Sequence, residues 1–124
     1  VPHVRGGGEK GEQWHLDGQK LKKPNSWKDL IACAEYLIKN KYTSSKKIAL
    51  LGASAGGILM GRAVTERPDL FGAVVIESGV LNTIRVDQNG TGGTTVKEYG
   101  DPKDPMEFKG LLEMDAYHNI KKGQ

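Results

Sequence analysis

One short segment restricts the possible folds more than any other: Gly52-Ala53-Ser54-Ala55-Gly56-Gly57, placed directly after the apolar run Lys47-Ile48-Ala49-Leu50-Leu51. The run is nearly continuous in its apolar character, and this predicts a strand buried on both faces, as in a parallel sheet covered by helices. The residues that follow, from Ser54 to Arg67, predict a helix ended by Pro68. The six-residue segment is therefore a strand-to-helix turn, and it matches the Gly-x-Ser-x-Gly nucleophile elbow. A serine in such a turn adopts strained backbone angles, so its neighbours must be very small. Here they are two alanines and three glycines. The turn lifts the Ser54 hydroxyl clear of the sheet. It also aims the first N–H groups of the helix, that of Ala55 above all, at a point where an oxyanion can be stabilised. The alternatives are a phosphate-binding turn or a tightly packed turn with no chemistry. A phosphate loop wants a lysine that does not follow here, and a dinucleotide fingerprint wants glycine where Ser54 stands.

Around this turn the chain reads as α/β. Val1–Arg5 predicts the tail of a strand, Gly6–Gly11 a glycine-rich turn, and residues 12–25 a long ordered loop. Asn25 or Ser26 caps the next helix, Ser26-Trp27-Lys28-Asp29 fitting the Ser-x-x-Asp pattern. Trp27, Leu30, Ile31, Ala34, Leu37 and Ile38 recur at helical spacing, and the helix ends near Lys41. Gly72–Ser78 predicts a second buried strand, and the helix–strand order implies crossovers in a parallel sheet. Val80–Val86 reads as a short helix and Asp87–Thr95 as a flexible loop. Asp104–Met114 is a helix capped by Asp104 with Pro105 at its first position, and Lys121–Gln124 is a frayed end.

Composition adds exclusions. The 124 residues suit one small domain, and their hydrophobic fraction of 37% is too high for wholesale disorder. The formal net charge is +3 with acids and bases interleaved, a weak argument for nucleic acid, which is not expected as a partner. No run approaches the roughly 18 apolar residues that cross a bilayer, and Val1–Gly8 lacks the pattern of a signal peptide. A lone Cys33 forms no intrachain disulfide and suits a reducing, cytoplasmic setting; on its apolar helical stretch it reads as a structural thiol. Scattered histidines and a single cysteine make no metal site, and no cofactor is expected. A serine nucleophile needs a base oriented by a carboxylate. His3 and His15 precede the elbow and only His118 follows it, so all three read as surface or loop histidines.

Arg5-Gly6-Gly7-Gly8-Glu9-Lys10-Gly11-Glu12-Gln13-Trp14-His15 resembles the Arg-Gly-Gly-Gly-Glu-x-Gly-x-x-Trp-His segment of the prolyl oligopeptidase family of serine peptidases. Ala34–Ile38 with Tyr42-Thr43-Ser44, the elbow itself, Arg67-Pro68-Asp69-Leu70-Phe71-Gly72, Tyr99-Gly100-Asp101-Pro102 and Tyr117-His118-Asn119-Ile120 extend the likeness through nearly the whole chain. The resemblance implies part of an α/β-hydrolase domain that cleaves oligopeptides through an acyl-enzyme. Ser54 would be the nucleophile and the Ala55 N–H one oxyanion donor. The resemblance assigns Gly6-Gly7-Gly8 to a structural turn. It places the second oxyanion donor, a tyrosine, before residue 1 and the triad aspartate and histidine after residue 124, with a β-propeller absent. About three strands of such a sheet are expected here, and their exposed edges favour self-association. The isolated chain is then expected to be inactive or nearly so.

Members of the family that cut after proline carry a tryptophan four residues before the Tyr-Gly pair. Here that position is Thr95, the candidate substrate-binding residue. Lys97 would repel a basic substrate, while Glu98 keeps one acid nearby. Two other functions fit the same residues: an esterase or acyl hydrolase of this fold, and a non-catalytic module that associates with another chain or with itself.

Overall fold

A computed structural model of the chain describes residues 1–88 and 92–123. At its centre β1 (Ala49–Ala53) and β2 (Ala73–Glu77) pair in parallel, in register from Ala49 opposite Ala73 to Ala53 opposite Glu77. The other regular elements are α1 (Glu12–Leu16), α2 (Pro24–Lys39), α3 (Gly56–Glu66), α4 (Gly92–Tyr99) and α5 (Pro105–Met114). α3 links the two strands, as the sequence predicts, and Pro68 opens the short 3-10 turn that follows it. The architecture is a small parallel sheet flanked by helices.

Burial on both strand faces is not what the structure shows. Leu50 is buried, but Leu51 and Val75 are 71% and 52% exposed. Helices cover one face of the sheet, and among the described residues nothing covers the other. The expected strand at Val1–Arg5 is also absent. Among the described residues it pairs with no strand beyond an isolated bridge between Arg5 and Gly7, and the chain closes a turn there, Gly7 N–H donating to Val4 O at 3.2 Å. Among the described residues two strands therefore stand where about three were expected.

Residues 12–25, read as a loop, contain α1 and a 3-10 turn at Lys20–Lys22. Five residues are too few to show a helical period, and contacts with the preceding glycine turn fix α1: Trp14 Nε1 donates to Val4 O at 2.9 Å and Gly6 N to Trp14 O at 3.0 Å. α2 starts at Pro24, whose fixed φ suits a first helical position. Ser26 and Asp29 thus lie inside the helix and make no capping box. Ser26 Oγ donates to Arg5 O at 2.5 Å, and Asp29 accepts from the Arg5 backbone N, Nε and Nη2 at 3.0, 2.8 and 2.5 Å. The helix stops at Lys39. Lys41 at φ +62°, with Lys41 N to Ile38 O and Tyr42 N to Leu37 O both at 3.0 Å, closes it as a Schellman motif. Cys33 is exposed, not structural: the buried stripe of α2 is Trp27, Leu30, Ile31 and Ala34, and Cys33 lies off it.

The part of the expected loop from Gly92 onward is α4; Asn89, Gly90 and Thr91 lie outside the described residues. Glycines and threonines are poor helix formers, so tertiary contacts decide the conformation. Thr95 Oγ1 donates to Val86 O at 3.3 Å and Lys23 Nζ to Glu98 Oε1 at 2.9 Å, while Tyr99 is buried. Val80–Val86, expected as a helix, is irregular until a 3-10 stretch at Thr83–Gln88. α5 follows the sequence: Asp104 accepts from Met106 N and Glu107 N at 2.8 and 2.9 Å, with Pro105 first. The core gathers Trp27, Ile58, Val86, Leu111 and Met114, all fully buried. The buried Arg62 ties this core together, its guanidinium 5.1 Å from the Trp27 ring centroid, with Nε donating to Glu113 O at 2.7 Å.

Candidate active site at the strand-to-helix turn

The turn between β1 and α3 has the strain its sequence predicts. Ser54 has φ +50°, a left-handed conformation that costs a side-chain-bearing residue roughly 1–2 kcal/mol. Three backbone bonds hold it there. Ser54 N donates to Glu77 O at 3.1 Å, and Ser54 O accepts from Gly57 N and Val80 N, each at 2.9 Å. The end of β2 thus clamps the serine from the neighbouring strand.

Two of the flanking glycines are required by close approach. A Cβ on Gly52 would stand 2.6 Å from Met60 Cγ, and one on Gly57 would stand 2.6 Å from Gly79 Cα and 2.7 Å from Val80 N. Gly56 is different: nothing among the described residues comes within 4 Å of such an atom. Smallness at Gly52 and Gly57 is therefore demanded by packing in this chain, and smallness at Gly56 is not.

Ser54 is exposed, and its hydroxyl has no hydrogen-bond partner among the described residues. Ala55 has helical angles, φ −55° and ψ −30°, and stands at the N-terminal end of α3. Its N–H donates to no acceptor among the described residues, so a free donor at the positive end of a helix lies beside the hydroxyl. Next to it is a concavity of about 300 Å³ lined by Gly6, Gly7, Lys23, Ala55, Gly56 and Tyr99, among others. The glycine turn at Gly6-Gly7 forms one wall and does not point spare donors inward: Gly6 N is committed to Trp14 O and Gly7 N to Val4 O. Glu98 lines the same space. It pairs with the buried Lys23 at 2.9 Å and with His15 Nε2 at 3.2 Å, while Lys23 Nζ also sits 5.3 Å from the Tyr99 ring centroid.

None of the three histidines hydrogen-bonds Ser54. His3 Nδ1 lies 3.4 Å from Glu9, and His15 Nδ1 lies 2.9 Å from Gly6 O. His118 Nδ1 lies 2.9 Å from Asp115 Oδ1, a fully buried carboxylate that also accepts from Ile84 N and His118 N. The imidazole of His118 is thus oriented by an acid but has no serine among its partners. Thr95 does not line the concavity beside Ala55; Glu98 and Tyr99 of the same helix do. The Lys23–Glu98 pair was not visible in the sequence because 75 residues separate its members. Asp115 and His118 had one signal, their spacing of three.

Among the described residues no group of three or more His, Cys, Asp or Glu could hold a metal ion, and no helix is long and apolar enough to cross a membrane. The site as it stands offers an exposed hydroxyl, a free N–H donor and a neighbouring concavity. That set serves acyl transfer once a base reaches the hydroxyl.

The comparisons with known proteins agree with this geometry. The prolyl oligopeptidase family model matches residues 1–124. A prolyl endopeptidase of Dictyostelium discoideum is 41% identical over 122 residues, covering 98% of this chain and 16% of its own. A prolyl endopeptidase of Elizabethkingia meningoseptica is 43% identical over 124 residues, covering 99% of this chain and 18% of its own. Among solved structures, unliganded prolyl oligopeptidase B of Galerina marginata superposes with a TM-score of 0.94 at 39% identity, covering all of this chain and 18% of that one. The chain thus spans about a sixth of the length of the relatives it matches. Its two parallel strands and flanking helices are part of their α/β-hydrolase fold. The matched family, the likeness along the whole chain and the strained serine turn converge: this chain belongs to the prolyl oligopeptidase family.

Proposed function

We propose that this chain carries the nucleophile segment of a serine peptidase that hydrolyses oligopeptides through an acyl-enzyme. Ser54 attacks the scissile carbonyl. The Ala55 N–H, backed by the dipole of α3, stabilises the oxyanion of the tetrahedral intermediate. Thr95, on the helix that sends Glu98 and Tyr99 to the concavity, contacts the substrate. One observation carries this reading: a non-glycine residue at φ +50° presents a hydroxyl next to a helical N–H, both without a partner among the described residues.

The base and its aspartate come from outside these 124 residues, because every histidine here is engaged elsewhere. A cytoplasmic location suits the exposed, unpaired Cys33. The uncovered sheet face, with Leu51 and Val75 exposed, supports association with other chain segments or with a second copy. The test is turnover by the longer protein bearing these residues, measured on an oligopeptide and on a simple ester. Peptide hydrolysis that vanishes with Ser54→Ala is expected. Ester cleavage without peptide cleavage would assign the site to an acyl hydrolase, and no turnover of either would leave it a non-catalytic module.

A further inference from the structure

The concavity beside Ala55 carries a charge arrangement that selects what enters it. An acyl group with its carbon at the Ser54 hydroxyl and its oxygen at the Ala55 N–H holds the neighbouring side chain close to Ala55, and the open space there is this concavity. Among the described residues its charged lining is Arg5, Lys23 and Glu98. Arg5 is committed to Asp29 through two side-chain bonds. Glu98 is the acid of the lining, and Lys23 Nζ, His15 Nε2 and Gln19 Nε2 face it at 2.9, 3.2 and 3.4 Å. Lys97, expected from the sequence to repel a basic substrate, is exposed and does not line the concavity.

Lys23 occupies the place that the sequence assigned to Lys97. It is only 6% exposed, and a buried ammonium persists only with a partner. Glu98 supplies the carboxylate, and the face of Tyr99 lies 5.3 Å away. Lys23 immediately precedes α2, whereas Glu98 and Tyr99 end α4, so the pair joins two separate elements at the wall of the concavity. Its two charges cancel at a distance but not at contact. A cationic side chain entering the concavity meets an ammonium already seated on the carboxylate. An anionic one meets Glu98. An uncharged, apolar one meets neither penalty and reaches Tyr99 and Leu59, which line the same space.

We propose that Lys23 is a specificity-determining residue of this concavity: it neutralises Glu98 and excludes charged side chains, so that the residue beside the scissile bond is an uncharged one. The proposal rests on the oligopeptidase reading above and narrows its substrates. Its corollary is that the exclusion is repulsive and can be reversed, since removing Lys23 leaves a carboxylate free to receive a basic side chain.

The test is calorimetric binding to the Ser54→Ala form of the longer protein bearing these residues, at pH 8, above the usual range of imidazole titration. Three peptides, acetyl-Gly-Xaa-Gly-amide with norleucine, lysine or glutamate at Xaa, serve as probes. The norleucine peptide is expected to bind about tenfold more tightly than either charged one. Lys23→Met should bring the lysine peptide to at least the affinity of the norleucine one, while Glu98→Gln should favour glutamate in the same way. Combining the two substitutions should leave norleucine preferred over both. A merely structural role for the pair would weaken all three peptides together and keep their ratios. Wild-type ratios near one, ratios unchanged in Lys23→Met, or no binding at millimolar concentration would overturn the proposal. If Lys23→Met does not fold by circular dichroism, the wild-type and Glu98→Gln ratios decide. Binding is read without turnover, so failure here leaves Ser54-dependent hydrolysis standing, and an inert Ser54 leaves these ratios readable.

Discussion

Substituting alanine at Gly57 and at Gly56, adjacent residues of one helical turn, should have opposite consequences. At Gly57 the new Cβ falls 2.6 Å from Gly79 Cα and 2.7 Å from Val80 N, where ordinary contact begins near 3.4 Å. Both obstacles are backbone, so α3 and the end of β2 must part by roughly 1 Å. Overpacking of this kind costs about 1–3 kcal/mol, and the backbone obstacles put Gly57→Ala at the upper end. Helix propensity returns up to about 1 kcal/mol, leaving a net loss of about 2 kcal/mol. Unfolding entropy scales with length, so for a chain of this size that loss lowers Tm by about 8 °C. At Gly56 the Cβ meets nothing and φ is not left-handed, so Gly56→Ala should hold or raise Tm. Thermal melts followed by circular dichroism decide it. A Gly57→Ala chain melting within about 2 °C of wild type, or a Gly56→Ala chain falling equally far, would refute the close-approach argument.

Arg5, chiefly through its side-chain hydrogen bonds, holds the Asp29 carboxyl below its usual range. A carboxyl lowered in the folded state stabilises fully above its unfolded value, near pH 4, and that contribution disappears as pH falls through the folded value. Asp29→Asn should therefore cost on the order of 1 kcal/mol at pH 7, allowing for solvent screening, and the gap between the two urea midpoints should be narrower at pH 3 than at pH 7. An equal gap at both pH values would contradict this account of the pair. Asp104→Ala removes the cap of α5 and should destabilise the chain by about 1 kcal/mol in urea titrations; an unchanged midpoint would show that the two capping bonds contribute nothing net.

What the sequence disclosed was local. Small residues on both sides of Ser54 announced the strained turn because Gly52 and Gly57 meet neighbouring atoms too closely for any side chain. Asp104-Pro105 announced α5 because both the cap and the proline act on their own turn. What stayed hidden depends on distant partners. α1 and α4 carry no helical period of their own and are held by Val4, Lys23 and Val86. Ser26 and Asp29 had the spacing of a capping box, yet Arg5, 24 residues before Asp29, takes both into a different network. The apolar run in β1 suggested two covered faces, but the described residues supply helices to only one. The buried Asn82 Oδ1, without a partner among the described residues, has no sequence signature, since only the fold shows which partners are missing.

The most direct test of the central claim is covalent labelling with a fluorophosphonate, read by intact mass and mapped by peptide mass spectrometry. The longer protein bearing these residues should form one adduct, on Ser54, and Ser54→Ala should form none. The 124-residue chain alone should remain unlabelled, because none of its histidines reaches the hydroxyl. An adduct on another residue of the longer protein would contradict Ser54 as the nucleophile, and a Ser54 adduct on the short chain would contradict a base supplied from outside it.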